Sequence, residues 1–200
     1  MKINTEISQM PEAPLIPDGE ISQIFIDLGI TSFQEACQYI HELPYGYNST
    51  YEDKFILFKE GQGSCTMKHA TAAGLAHELG LPVHKTIGVY KFTDEITEGA
   101  GEICAKYSLP YIPLTHCFLL YEGQMVDLTV GNRNGKKRPI TEFLYTEQVV
   151  PFLSKKEEYL LFKKVLRTLV LQRPEMEEIK ERTILKARQE AIVLLKEAIK

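Results

Sequence analysis

The sequence predicts an α+β fold, and three observations carry that prediction. Residues 65–79 form an Ala-rich run closed by Gly80 and Pro82, which are helix-stop signals. Two alternating segments, Thr115–Tyr121 and Gln124–Val130, flank Glu122-Gly123, a two-residue hairpin signal. From Ser154 onward the chain holds no Gly, one Pro and mostly strong helix formers.

The remaining elements follow in chain order. Residues 1–19 carry Pro11, Pro14 and Pro17 and read as an extended arm. Ile21–Leu28 with Gly29 is a short helix and its stop. Ser32, with Glu35 three positions on, is a capping-box start for a helix running to Leu43, before Pro44. Tyr45-Gly46-Tyr47-Asn48 is turn material, and Tyr51–Glu60 is amphipathic and ambiguous. Val83–Phe92 alternates as a strand, 93–109 reads as loop or short helix, and 131–138 is a basic Gly/Asn-rich loop. In the tail, Ser154 and Glu157 cap one helix reaching about Gln172, and Pro174 opens a second. Met176, Ile179, Thr183, Ala187, Ala191, Leu194 and Ala198 then fall on one helical face. Packing of this helical hairpin on the body is one reading of that stripe. A homodimer through the C-terminal helices is the other.

Size and composition bound the rest. A chain of 200 residues is one domain, or a domain of residues 1–153 with a helical extension over 154–200. The two parts differ in charge: 11 basic and 19 acidic residues up to position 153, then 12 and 8. Hydrophobic residues at 44% and charged residues at 25% are ordinary for a globular protein and exclude a disordered or collagen-like chain. The longest apolar runs are five residues, Cys117–Tyr121 and Ala191–Leu195, where a membrane helix needs about 20. A formal charge of −4 argues against nucleic acid as a partner. The N-terminus has no apolar leader, so a cytoplasmic protein with reduced Cys37, Cys65, Cys104 and Cys117 is expected. No CxxC or HxxxH spacing suggests zinc, and no cofactor is expected.

Cys65 is the first candidate for chemistry. It follows Gly61-Gln62-Gly63-Ser64 and opens a helix. A helix N-terminus offers free N–H groups and a partial positive charge, which favour thiolate and can bind an oxyanion. The glycines would allow close approach by a substrate. A small packed side chain is the alternative for Cys65. The hairpin supplies a base and its acid. With a two-residue turn, Tyr121 faces Gln124, Phe118 faces Asp127 and His116 faces Thr129. His116 and Asp127 are then diagonal neighbours on one face, and Cys117, Leu119, Tyr121, Val126 and Leu128 form the core face. An acid holding an imidazole fixes its tautomer and leaves the other nitrogen to act as base. A structural His–Asp pair would look the same. His69, one turn beyond Cys65, would contact the sulfur, join it on a zinc ion, or stack beneath the site.

The order Cys65, His116, Asp127 resembles the transglutaminase-like superfamily of papain-like thiol enzymes. The matching pieces are Gly61-Gln62-Gly63-Ser64-Cys65-Thr66-Met67-Lys68-His69, Thr115–Tyr121 and Gln124-Met125-Val126-Asp127-Leu128-Thr129. Leu43-Pro44-Tyr45-Gly46-Tyr47-Asn48 also resembles a segment of small bacterial and fungal members. The resemblance spans about residues 20–152. It implies a nucleophile helix packed on an antiparallel sheet, with Cys65 as nucleophile, His116 as base and Asp127 as orienting carboxylate. It implies acyl transfer on a peptide, protein or small amide substrate, with hydrolysis favoured over cross-linking. The family often places a tryptophan beside the site, and this chain has none. Tyr47, Asn48, Gln62 and Ser64 are therefore the candidates for substrate or oxyanion contacts. The alternative is a non-catalytic interaction module that kept the fold.

Overall fold

The computed structural model describes residues 5–199. It is an α+β structure with seven α-helices among the described residues and a four-stranded antiparallel sheet of order β3-β2-β1-β4. The helices are α1 (Glu20–Asp27), α2 (Phe33–Glu42), α3 (Ile56–Glu60), α4 (Cys65–Glu78), α5 (Ala100–Tyr107), α6 (Lys155–Thr168) and α7 (Glu181–Ala198). The strands are β1 (His84–Phe92), β2 (Ile112–Tyr121), β3 (Gln124–Val126) and β4 (Tyr145–Gln148). No helix of the described residues is long and apolar enough to cross a membrane.

Local signals explain most boundaries. Ser32 accepts from the Glu35 amide while Glu35 reaches back to the Ser32 amide, so α2 starts on a full capping box. Helix α1 ends where Gly29 takes φ 77°, and α4 ends where Gly80 takes φ 66°. The hairpin turn has φ 48° at Glu122 and φ 79° at Gly123, a mirror-image turn that matches strand twist. The resulting pairs are Leu119↔Val126, Leu120↔Met125 and Tyr121↔Gln124, the register expected from the two-residue loop.

Four expectations change. The arm over residues 1–19 contains a 3-10 turn at Ile7–Gln9, with Ile7 and Met10 buried; residues 1–4 of it lie outside the described residues. Strand β3 stops at Val126 instead of Val130, because the Asp127 carboxylate captures the Thr129 N–H and O–H and folds the chain into a turn. The ladder therefore never pairs Phe118 with Asp127 or His116 with Thr129. The tail's first helix ends at Thr168, and Pro174 opens a 3-10 turn, so α7 begins at Glu181. The buried stripe of α7 is Ile184, Ala187, Ala191 and Leu195, rotated from the one expected.

The chain divides into two compact units. Residues 1–86, 117–132 and 148–154 form one; residues 87–116, 133–147 and 155–200 form the other. This division does not follow the composition break at Ser154. The core of the first unit includes Phe25, Phe33, Leu57, Leu75, Leu119 and Val126, gathered around α4. Helix α4 buries every residue from Met67 to Ala76, which its alanines and Gly74 permit by letting Ile21 and Phe152 approach its backbone. The core of the second unit joins Val89, Phe92, Ile112 and Leu114 to Phe162, Leu166, Ile184 and Ala191.

Candidate active site

Cys65 is the first residue of α4, and its side chain is partly exposed. Ser64 occupies the N-cap with extended backbone, but its hydroxyl makes no cap bond and lies 3.3 Å from the Tyr51 hydroxyl. The Cys65 amide instead meets the Tyr45 hydroxyl, which also hydrogen-bonds the thiol. The Tyr45 ring is half-buried while its hydroxyl is enclosed. Burial holds this phenol well above its ordinary range, and the Cys65 sulfur pushes it further.

Backbone bonds deliver Tyr45 to this position. The Gly46 N–H donates to Gly63 O at 3.3 Å, the Gly63 N–H donates to Pro44 O at 3.1 Å, and Tyr45 and Gly63 form a parallel bridge. Gly61 carries φ 61° at the end of α3, as a left-handed helix stop requires. Gly63 serves packing, since a methyl group there would collide with Leu57. The expectation that Gly63 opens space for a substrate gives way to that contact.

The other sequence candidates are placed as follows. Tyr47 packs edge-on against Tyr45, with ring centroids 6.2 Å apart. Asn48 is buried, and its amide donates to Glu60 Oε2 and to Gln62 O, each at 2.9 Å. It braces the loop between Tyr47 and Gln62. The Gln62 side-chain amide lies against Gly46. The structure thus brings Tyr45, which the sequence does not single out, to the thiol. Its only signal was its position in the Pro44–Asn48 turn.

His69 is completely buried, one helical turn from Cys65. The Leu128 N–H donates to its Nε2 at 2.9 Å, so that nitrogen is unprotonated. Its Nδ1 then carries the proton and donates to Cys65 O at 2.7 Å. Both nitrogens are spent on main chain, which leaves no lone pair for zinc and no open base. The 3.4 Å approach of Nε2 to Asp127 Oδ1 is therefore a contact of two acceptors. His69 lies beneath the site and ties the start of α4 to the segment after β3.

Asp127 is also buried, at 7% exposure. Its Oδ1 accepts from Thr129 N at 2.8 Å and from Thr129 Oγ1 at 2.7 Å. Neighbouring bonds hold this segment in place. His41 Nδ1 donates to Leu128 O at 3.1 Å, and Asn132 Nδ2 donates to His41 O at 3.3 Å. Lys68, fully buried on α4, donates to the His41 and Leu43 carbonyls at the end of α2. Burial pulls its pKa down to about 7, against an opposing pull from Asp127.

His116 is buried on β2 and belongs to the second unit, where its ring stands at 78° to Tyr90 with centroids 6.4 Å apart. Cys117, the next residue, sits in the first unit with its sulfur 3.9 Å from Thr66 Oγ1. Leu119, Val126 and Leu128 enter the first unit's core, so the core face of the hairpin is the one expected. The remaining thiols differ from Cys65. Cys37 and Cys117 are buried, and burial raises Cys37 far above the ordinary thiol range. Cys104 is partly exposed, and burial together with Asp94 raises it too.

Comparison with protein-family models, with curated proteins and with solved structures finds no match to this chain.

Proposed function

We propose that this chain is a transglutaminase-like thiol enzyme that transfers an acyl group from an amide or peptide through a Cys65 thioester, with water as the favoured acceptor. The observation that carries the reading is the setting of Cys65: a partly exposed thiol at the first position of a buried helix, beside a hydroxyl donor. A helix N-terminus and a hydrogen-bond donor both favour the thiolate. The assignments of His116 as base and Asp127 as orienting carboxylate rest on their chain order after Cys65.

The chemistry balances without a cofactor. The Cys65 sulfur adds to the carbonyl carbon, and the C=O π pair moves to oxygen. Collapse of this intermediate breaks the C–N bond, and the amine leaves with a proton from the His116 imidazolium. Water then adds to the thioester as His116 takes its proton, and collapse releases the acid and the thiolate.

Alkylation with iodoacetamide from pH 5 to 9, with each modified cysteine identified by mass spectrometry, tests this. Cys104 is the internal control, being also partly exposed. The expected result is preferential labelling of Cys65 below pH 7, abolished in His116→Ala. Asp127→Asn should keep the fold, because an amide oxygen can still accept from Thr129. It should slow acylation by p-nitrophenyl acetate by about 10²–10⁴. Equal, slow labelling of Cys65 and Cys104 would instead favour an interaction module.

A further inference from the structure

We propose that Tyr45 is a catalytic residue, whose hydroxyl holds the Cys65 sulfur as an anion at rest and then donates to the acyl oxygen in the tetrahedral intermediate. This rests on Cys65 being the nucleophile.

Geometry carries the argument. The Tyr45 oxygen accepts from the Cys65 N–H, the one amide that a nucleophile at the first position of a helix can always offer to its own oxyanion. An oxygen seated on that amide marks where an acyl oxygen would sit. With its lone pair spent there, the phenol directs its single proton toward the sulfur. The ring has little freedom to drift. The Pro44–Gly46 backbone is bonded to Gly63, two residues before Cys65, and Tyr47 packs against the ring edge. Asn48 anchors the following residues to Glu60 and Gln62.

The same hydroxyl suits both states. When the sulfur bonds to carbon it loses its negative charge, and the charge appears on the acyl oxygen. That oxygen takes the Cys65 N–H from Tyr45, and the freed phenol donates its hydrogen bond to the oxyanion. The phenol stays protonated throughout, so no proton balance changes. Its raised pKa fits a donor that never ionises. This supplies the second oxyanion donor in a chain without tryptophan.

Tyr45→Phe keeps the ring and removes only the hydroxyl. Two readouts separate a catalytic role from a structural one. The first is the pH profile of Cys65 alkylation by iodoacetamide, with Cys104 as control. The second is the rate of p-nitrophenolate release from p-nitrophenyl acetate above the thiol pKa, where ionisation no longer matters. In Tyr45→Phe the Cys65 profile is expected to move to higher pH by about one unit. The plateau acylation rate is expected to fall about ten- to a hundredfold. If the variant fails to fold, 3,5-difluorotyrosine at position 45, a more acidic phenol, should move the Cys65 profile to lower pH. A wild-type profile and plateau in Tyr45→Phe, or an unmoved profile with difluorotyrosine, overturns the Tyr45 role and leaves the Cys65 reading intact. A wild-type Cys65 no more reactive than Cys104 overturns both.

Discussion

Single residues here carry unusual costs, and the buried Lys68 is one of them. An ammonium group with no exposed surface donates to two helix-end carbonyls and faces Asp127 only as a longer-range counter-charge. Burial lowers its pKa from 10.5 to about 7. Between those values the unfolded chain binds a proton that the folded chain does not, so stability rises with pH across this window. Below pH 7 both states are protonated and the penalty is present in full. From pH 7 to 9 the gain is on the order of 2 kcal/mol. The raised Cys37 and Cys104 thiols oppose it from about pH 8.5, where their unfolded forms ionise, and the raised phenols only near pH 10. Urea unfolding at pH 7, 7.5 and 8, below the ordinary thiol range, should therefore show a rising midpoint in the wild type. In Lys68→Met the midpoint should be nearly flat over the same range. A flat wild-type series would mean that Lys68 titrates normally. His69 makes the same point about neutral groups: one imidazole can be a main-chain clamp because each of its nitrogens finds a partner of the right kind.

At the scale of elements, α4 and the β2–β3 hairpin do the positioning. Helix α4 is buried over ten consecutive residues, so the thiol at its first position inherits the rigidity of the core. Its last residue contributes as well: the Glu78 carboxylate accepts from the Ser22 N–H at 2.8 Å and from the Ile21 N–H at 3.0 Å, capping α1. The hairpin fixes which side chains of β2 enter the core, because a two-residue turn admits one register. Glu122 pays a conformational cost there at φ 48°. Glu122→Asn should stabilise the protein by roughly 0.5 kcal/mol, since Asn tolerates left-handed backbone far better. The shift in urea midpoint measures it, and a destabilised variant would show that the turn differs from the one described.

At the scale of the whole molecule, the C-terminal helices are part of a core. Phe162, Leu166, Val170, Ile184 and Ala191 pack with Val89, Phe92, Ile112 and Leu114 in the second unit. The apolar stripe of α7 is consumed in that packing. Deleting residues 154–200 should therefore expose these side chains, raise binding of the dye ANS and abolish cooperative unfolding. A truncated chain that still unfolds in one sharp transition would show that the helices are an appendage after all.

Much of this was legible from local signals. Ser32 and Glu35 announce α2, Gly80 closes α4, and Glu122-Gly123 sets the hairpin register, because each depends on a few adjacent residues. The stop of β3 at Val126 was less legible: the Asp127–Thr129 turn competes with the ladder, and period-two alternation runs on through both. Strand β4 left no mark, being four residues of alternating half-buried and exposed side chains. The start of α7 was displaced because a proline suits a 3-10 turn as well as a helix.

The sequence by itself determined the α+β class, the helix that Cys65 opens, the capped start of α2 and the register of the hairpin. Those follow from hydrophobic period, backbone freedom at glycine and short-range capping. Only the tertiary structure decided that Tyr45 meets the thiol, that His69 is a clamp, that Lys68 is buried and that the tail completes a core. Each of these joins residues 20 or more positions apart, or depends on which lone pair a distant amide occupies, and no local pattern encodes that.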